Sequence, residues 1–150
     1  MKKLKLIVLL FLGLFASCSA IKTAVYDQYS YQQTTSLKID VSKIIDKSTE
    51  QYSKNAIEVQ KIILEMEKMM EYEKNKPNNE ITFAMWQLLT NKDKNSVAGF
   101  FKRWEEKGSF SPIFLEESKK QILEGFDLLI QYEVRKDQQS KDNLLTLINK

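Results

Sequence analysis

The sequence has no histidine, and its 150 residues include one cysteine, two prolines and four glycines. Histidine is the commonest general base and metal ligand, so its absence excludes ordinary serine–histidine hydrolases and ordinary zinc sites. We therefore expect no metal and no cofactor. One cysteine allows no disulfide within the chain. Sparse glycine and proline, and the absence of Asn-Gly turns, favour helices over β-hairpins.

Charge is balanced once the first residues are set aside. The chain has 23 basic and 20 acidic residues, a formal net charge of +3. Residues 1–17 contain three lysines and no acidic residue, so residues 18–150 carry 20 of each and are neutral. Nucleic-acid binding needs a basic surface that releases counterions from phosphates. We therefore expect no nucleic-acid partner. Residues 18–150 are enough for one domain with one core.

The first 17 residues have the layout of a secretory signal. Three lysines precede the apolar run 6–15, and the small residues Ala16 and Ser17 precede Cys18. This order of basic start, apolar core and small-residue cleavage site is typical of secreted proteins. The apolar run has about ten residues, whereas a helix that spans a membrane needs about 20. We predict a signal peptide over residues 1–17. The alternative is a cut elsewhere that leaves Cys18 as a free thiol.

The residues Phe15-Ala16-Ser17-Cys18 resemble the bacterial lipobox, with Phe15 where leucine is usual. The resemblance implies cleavage before Cys18 and acylation, for example by palmitate, of its sulfur and new amino group. Several acyl chains, at about 0.8 kcal/mol per buried methylene, make a stable membrane anchor. Ser19, where an aspartate would retain the protein in the inner membrane, implies an outer-membrane location. We expect the domain to face the periplasm.

Residues 18–33 are predicted to form a tether. Tyr26, Tyr29 and Tyr31 lie within it among polar residues. Tyrosine suits the level of lipid headgroups, so these rings would contact the membrane. The alternative is that they cap one end of the folded domain.

Residues 34–150 are predicted to form an all-α, up-and-down bundle of four or five helices. The range 34–76 lacks glycine and proline, and its apolar residues recur every three or four positions. We prefer one long bent helix here over two helices joined near Ser48. Further helices are expected to begin at Asn79, at Asn95 or Ser96, and at Ser111 with Pro112 in the first helical position. The tail from about residue 137 would either dock on the bundle or fray.

Acidic residues are candidates for catalysis because enzymes without histidine can use two carboxylates. The candidates are Glu65, Glu67, Glu71, Glu73, Glu105, Glu106, Glu116 and Glu117. Adjacent glutamates on a helix point about 100° apart, and interleaved lysines indicate solvated faces. We expect no enzyme; a carboxylate-dependent hydrolase is the alternative.

Two groups of residues are predicted to bind a partner. The first group combines large rings with a cation, which is typical of binding hot spots. It consists of Phe100, Phe101, Arg103 and Trp104. The second group is formed by methionines, which adapt to varied partners: Met66, Met69 and Met70. For both groups the alternative is burial in the core.

Short segments resemble uncharacterised small helical lipoproteins of Gram-negative bacteria. The segments are 78–81, Met85-Trp86, 99–104 and Ser111-Pro112. The resemblance implies localisation and fold only. Our first functional hypothesis is a non-enzymatic envelope lipoprotein that binds another protein. The second is a bundle that binds a small molecule or lipid in an apolar cavity between helices.

Overall fold

The computed structural model describes residues 23–149, which form six α-helices and no strand. The helices are α1 (Gln28–Asp46), α2 (Tyr52–Lys74), α3 (Glu80–Thr90), α4 (Val97–Lys107), α5 (Pro112–Arg135) and α6 (Gln138–Ile148). The predicted all-α bundle is confirmed, although it has six helices rather than four or five. The predicted signal peptide and Cys18 lie outside the described residues.

One core runs through the bundle. Helix α1 packs on α2 and α5, α2 packs on α3, and α6 packs on α5 and α3. The largest fully buried side chains are Trp86, Trp104, Phe100, Phe101 and Phe126. Burial of a large apolar side chain contributes about 1.5–3 kcal/mol, so these rings supply much of the stability. None of the described helices is both long and apolar enough to cross a membrane.

The preference for one long helix over residues 34–76 is wrong. Helix α1 ends at Asp46, a 3-10 turn covers Lys47–Thr49, and α2 begins at Tyr52. Gln51, the residue before α2, has an extended backbone and makes no capping hydrogen bond through its side chain. The buried stripe of α1 ends near Ser48 and the stripe of α2 begins at Tyr52, four residues later. The chain therefore breaks at the step between the two stripes.

Contacts from distant residues hold this break. The indole N–H of Trp104 donates to the carbonyl oxygen of Glu50 at 3.0 Å. The backbone N–H of Tyr52 donates to the carbonyl oxygen of Gly108 at 2.8 Å. Gly108 ends α4 with φ of +81°, a conformation that favours glycine. The end of α4 thus satisfies polar groups that an uninterrupted helix would satisfy internally.

Helix α1 begins inside the predicted tether. Asp27 is its N-cap, and the carboxylate accepts a hydrogen bond from the backbone N–H of Tyr29 at 2.9 Å. The predicted boundary at residue 33 is therefore too late, because aspartate is among the strongest helix N-caps and starts α1 at Gln28. Residues 24–27, which precede α1 and pack on the bundle, are called the strap below.

Other helix ends follow their predicted signals. Ser111 caps α5 by accepting from the N–H of Phe114 at 3.3 Å, with Pro112 in the first turn. Asn79 precedes α3 as expected but makes no capping hydrogen bond through its side chain. Residues 138–148 form α6, which docks through the fully buried Leu144. Docking of the tail, one of the two alternatives, is therefore the observed one.

The bundle has two distinct ends. At the strap end, the N–H of Ala24 donates to the carbonyl oxygen of Asn78 at 2.8 Å, just beyond α2. At the far end, the N–H of Phe110 donates to the carbonyl oxygen of Ser48 at 2.8 Å. Helix α2 runs between these ends for 23 residues, about 34 Å at 1.5 Å per residue.

Candidate functional site

The predicted aromatic surface lies in the core. Phe100, Phe101 and Trp104 are buried, with at most 1% of each side chain exposed. The ring of Phe100 lies 5.0 Å from that of Phe110, and Trp104 packs edge-on against Tyr52 at 5.4 Å. These rings therefore do not form an exposed surface, and burial in the core, the alternative, is the observed arrangement. Helix α4 is covered on more than one side, so all three rings find neighbours.

Arg103 is the member of that group that reaches the surface. Its guanidinium donates to Oδ1 of Asn95 at 3.2 Å. Both residues line a groove of about 340 Å³ beside the first half of α5, together with Phe114 and Glu117. The groove mixes charged and apolar side chains. It thus differs from the apolar cavity that the lipid-binding hypothesis requires.

The predicted methionine surface is also largely internal. Met66 and Met69 are buried, and Met70 is partly buried against the core. The hydroxyl of Thr90 on α3 lies 3.3 Å from the sulfur of Met70. The prediction of a methionine contact surface is wrong for Met66 and Met69, which fill the space between α2 and its neighbours.

Several candidate acids occupy the solvated faces expected for them. Glu65 pairs with Lys68 at 2.6 Å, and Glu71 pairs with Lys74 at 3.4 Å, both within one helical turn. Such exposed pairs contribute little to stability. Within residues 23–149, no three or more histidine, cysteine, aspartate or glutamate side chains are arranged so that they could hold a metal ion. Glu73 departs from the prediction, because its side chain is fully buried.

Glu73 belongs to a cluster of five charged groups at the strap end, called the strap cluster. Its members are Asp27, Glu73, Lys76, Glu133 and Lys136. The side chains of Glu73 and Glu133 are 0% and 4% exposed, and those of the lysines are 15% or less. Buried charges are costly unless paired and hydrogen-bonded, and each carboxylate here contacts a lysine.

Both carboxylate oxygens of Glu73 are satisfied. One accepts a hydrogen bond from the hydroxyl of Ser30 on α1. The other accepts from the side-chain amide of Asn79 at 2.6 Å and lies 3.2 Å from Nζ of Lys76. The side-chain amide nitrogen of Asn79 thus donates to Glu73, whereas its Oδ1, the atom that would cap α3, has no hydrogen-bond partner within residues 23–149. Glu73 joins α1, the end of α2 and the start of α3.

Asp27 connects the strap to the same cluster. Its backbone N–H donates to Oε1 of Glu133 at 2.7 Å. Its carboxylate accepts from the hydroxyl of Tyr72 at 2.7 Å and lies 3.1 Å from Nζ of Lys76. Burial raises the pKa of Asp27, but the hydrogen bonds from Tyr72 and Lys76 outweigh burial and hold the pKa at about 2.

The two lysines complete the cluster. Nζ of Lys136 donates to Glu133 at 2.7 Å and lies 4.8 Å from the ring centre of Tyr132. Burial lowers the pKa of Lys76, but the negative charges of Glu73 and Glu133 outweigh burial and raise it overall. Each carboxylate of the cluster thus lies beside a lysine ammonium group. Such a network is suited to fixing the strap in place rather than to acid–base catalysis.

The buried glutamates follow a pattern that is visible in the sequence. They continue the apolar stripes of their helices with steps of four, three and four: Ile62, Met66, Met69, Glu73 on α2 and Ile122, Phe126, Leu129, Glu133 on α5. Helical periodicity alone therefore places both on the core face. Their charge favoured the opposite interpretation, because glutamate is rarely buried unless paired.

Two apolar surfaces remain exposed. On α2, Ile57 is 76% exposed and Leu64 50% exposed, and they border a groove of about 380 Å³ with Ala56, Gln60 and Lys61. We call this the α2 face. Large apolar groups that lie together in solvent are typical of contact surfaces.

The second exposed surface surrounds the start of α1. It consists of Val25, Tyr26, Tyr29 and Tyr72, each at least 40% exposed, and is called the tyrosine collar. The ring of Tyr29 lies 4.8 Å from that of Tyr72, and the ring of Tyr26 lies 6.3 Å from that of Tyr31. The tyrosine rings lie at one end of the bundle, as in the alternative in which they cap the folded domain. Tyr26, Tyr29 and Tyr72 nevertheless remain about half exposed.

The chain was compared with protein-family models, curated proteins and solved structures, and none of them matches it. The features that bear on function are therefore the strap cluster, the α2 face and the tyrosine collar.

Proposed function

We propose that this chain is a non-enzymatic, lipid-anchored envelope protein whose helical bundle binds another protein near a membrane surface. Cys18 carries the acyl chains, and Ser19 directs the protein to the outer membrane, facing the periplasm. The observation that carries the proposal is the α2 face. Ile57 and Leu64 are 76% and 50% exposed, whereas the largest apolar side chains, among them Trp86, Trp104 and Phe126, are fully buried.

Ile57 and Leu64 form one narrow apolar stripe along α2, with Gln60 and Lys61 beside it. Ile57 and Leu64 are seven positions apart, and residues seven apart differ by only about 20° around a helix. Helix partners use such a stripe, in which apolar side chains recur every seven residues. Ile57 lies in the first half of α2, toward the far end of the bundle, and Leu64 lies near the middle of the helix.

Charge beside the α2 face indicates the chemistry of the partner. Lys54, Lys61 and Lys68 also recur every seven residues and flank the apolar stripe on one side. Lys68 pairs with Glu65, whereas Lys54 and Lys61 form no ion pair within residues 23–149. A matching partner would present an apolar stripe bordered by acidic side chains, because charges at the flanks select complementary partners.

Photo-crosslinking in cells tests the proposal. A photoreactive residue at position 57 or 64 is expected to give one discrete crosslinked product with a second protein. The matched control is position 113 on α5, because Ile113 is also apolar and is 73% exposed. Equal or identical products from positions 57 and 113 would show that the α2 face is not the binding surface.

Substitutions separate the anchor from the binding surface. In the Ile57→Ser/Leu64→Ser double variant, a photoreactive residue at position 61 is expected to give no crosslinked partner. The variant is expected to unfold at the same temperature as the wild type, because both side chains are exposed. Lys61→Glu is expected to lower the yield of the crosslinked product that a photoreactive residue at position 57 gives.

Cys18→Ser is expected to move the protein out of the membrane fraction. If the Cys18→Ser variant stays in the membrane fraction, the proposed lipid anchor is wrong.

A further inference from the structure

We infer that the tyrosine collar rests in the phospholipid headgroup layer and fixes how the bundle stands on the membrane. This inference rests on the proposed acylation of Cys18. It adds an orientation: the strap end faces the lipid, and the far end points away. The occupant of the collar is the lipid surface itself, rather than a protein.

The first step is distance along the chain. Ala24 is six positions after Cys18, and an extended chain spans at most about 3.6 Å per position, or roughly 22 Å in total. Ala24 is buried, and its N–H donates to the carbonyl oxygen of Asn78 at 2.8 Å. The strap cluster holds Asp27 in addition. An anchor at Cys18 therefore brings the strap end within about 22 Å of the acylated group.

The second step is the chemistry of the residues at that end. Val25 is 83% exposed, and Tyr26, Tyr29 and Tyr72 present about half of their side chains. Tyrosine has an apolar ring and a polar hydroxyl, which is why it is enriched where hydrocarbon meets headgroups. The hydroxyl of Tyr72 keeps its own partner, Asp27, at 2.7 Å. Contact with headgroups therefore need not break the strap cluster.

The third step is charge. The carboxylates of the strap cluster are buried or paired with lysines, which reduces the cost of approaching an anionic lipid surface. Exposed cations at this end are also paired: Lys74 with Glu71 at 3.4 Å, and Arg135 with Asp137 at 3.7 Å. Polybasic binding to lipid is lost at high salt, whereas apolar and aromatic contact is not. The collar contact is therefore expected to persist at high salt.

A consequence for the α2 face follows from this orientation. Ile57 and Leu64 lie 17 and 10 residues before Lys74, which corresponds to about 25 and 15 Å along α2. With the strap end at the lipid, the α2 face stands clear of the headgroups and is accessible to a protein partner. The two exposed surfaces thus take different occupants.

Spin labelling tests the inference on the complete acylated protein. Acylated Cys18 has no free thiol, so Val25→Cys gives one labelling site in the collar and Ile113→Cys gives a matched site at the far end. The protein is placed in vesicles of phosphatidylethanolamine and phosphatidylglycerol. Collision rates of each label are measured with oxygen, which concentrates in lipid, and with a nickel chelate, which stays in water.

At position 25 we expect high oxygen and low nickel collision rates, with the nickel rate at least fivefold below that at position 113. In Tyr26→Ser/Tyr29→Ser, which keeps Tyr72 and its bond to Asp27, the nickel rate at position 25 is expected to rise at least twofold. Raising NaCl from about 0.1 to 1 M, which shortens the Debye length from about 10 to 3 Å, is expected to leave the rates unchanged.

Other outcomes overturn the inference. Low rates with both reagents at position 25 would mean that a protein or a second copy covers the collar. Equal nickel rates at positions 25 and 113, on protein that stays bound to vesicles, would reject the orientation while leaving the anchor intact. Protein that leaves the vesicles would reject the lipid anchor, and with it the proposed function.

Discussion

The backbone N–H of Asp27 donates a hydrogen bond to Oε1 of Glu133, 2.7 Å away and 106 residues further along the chain. The other oxygen of Glu133 accepts from Nζ of Lys136 at 2.7 Å. A single buried carboxylate therefore joins the strap, the end of α5 and the residue that leads into α6. Loss of its charge affects three segments at once.

Glu133→Gln is expected to lower the free energy of unfolding by about 3 kcal/mol, because it leaves the buried Lys136 ammonium without a counter-charge. Urea denaturation measures the change. The control is Glu65→Gln, which also removes a carboxylate paired with a lysine, but on an exposed face. Similar midpoints for the two variants would contradict the structural role of the strap cluster.

Asp27 predicts a specific dependence of stability on pH. Its folded-state pKa of about 2 lies below the usual 3.8, so its ionised form stabilises the fold above about pH 4. This contribution is lost as the pH falls from about 4 to 2. Asn can still cap α1, so Asp27→Asn removes mainly the charge. The difference in unfolding free energy between wild type and Asp27→Asn should narrow between about pH 4 and pH 2. A constant difference from about pH 6 to 2 would contradict the lowered pKa of Asp27.

The two buried tryptophans differ in one hydrogen bond. Trp104 donates to Glu50 at 3.0 Å, whereas Nε1 of Trp86 has no hydrogen-bond partner within residues 23–149. Both substitutions by phenylalanine reduce the buried ring. Trp104→Phe should therefore cost about 1 kcal/mol more than Trp86→Phe in urea denaturation. Equal costs would mean that the indole does not stabilise the break between α1 and α2.

Gly99 lies where a side chain has no room. A Cβ at this position would stand 1.9 Å from the backbone carbonyl oxygen of Lys94, so the backbone must move. Gly99→Ala is expected to cost at least about 2 kcal/mol, as overpacking in a core does.

Gly125→Ala is the control for Gly99→Ala. Its Cβ would meet the flexible end of Met85 at 3.1 Å, and alanine favours a helix by up to about 1 kcal/mol. Thermal melting should therefore show a large drop for Gly99→Ala and a small change for Gly125→Ala. The reverse order would show that the loop before α4 packs differently.

Local signals in the sequence predicted several helix ends. Ser111 and Pro112 act within one turn of the backbone, so their roles do not depend on the rest of the fold. The break after α1 was harder to predict, because it is held by Trp104. The hydrogen bond joins residues 54 positions apart, and no local pattern records such a partner.

The candidate site was predicted less well than the fold. Phe100, Phe101 and Trp104 were assigned to a surface because one helix face is too narrow for three rings, yet α4 is covered on more than one side. How many neighbours cover a helix depends on the arrangement of the whole bundle. Glu73 was placed on a solvated face because of its charge, although its position continues the buried stripe of α2; Glu133, which received no assignment, continues the buried stripe of α5 in the same way.

Because Glu133 lies so late in the chain, the strap completes its contacts late in biosynthesis. A chain emerging N-terminus first presents Asp27 and Asn78 well before α5 exists. Until residue 133 has emerged, the N–H of Asp27 lacks its acceptor. The bond between Ala24 and Asn78 does not involve α5, so only the contact between Asp27 and Glu133 waits for that helix. The strap is therefore secured in two stages, at Ala24 by the segment after α2 and at Asp27 by the end of α5.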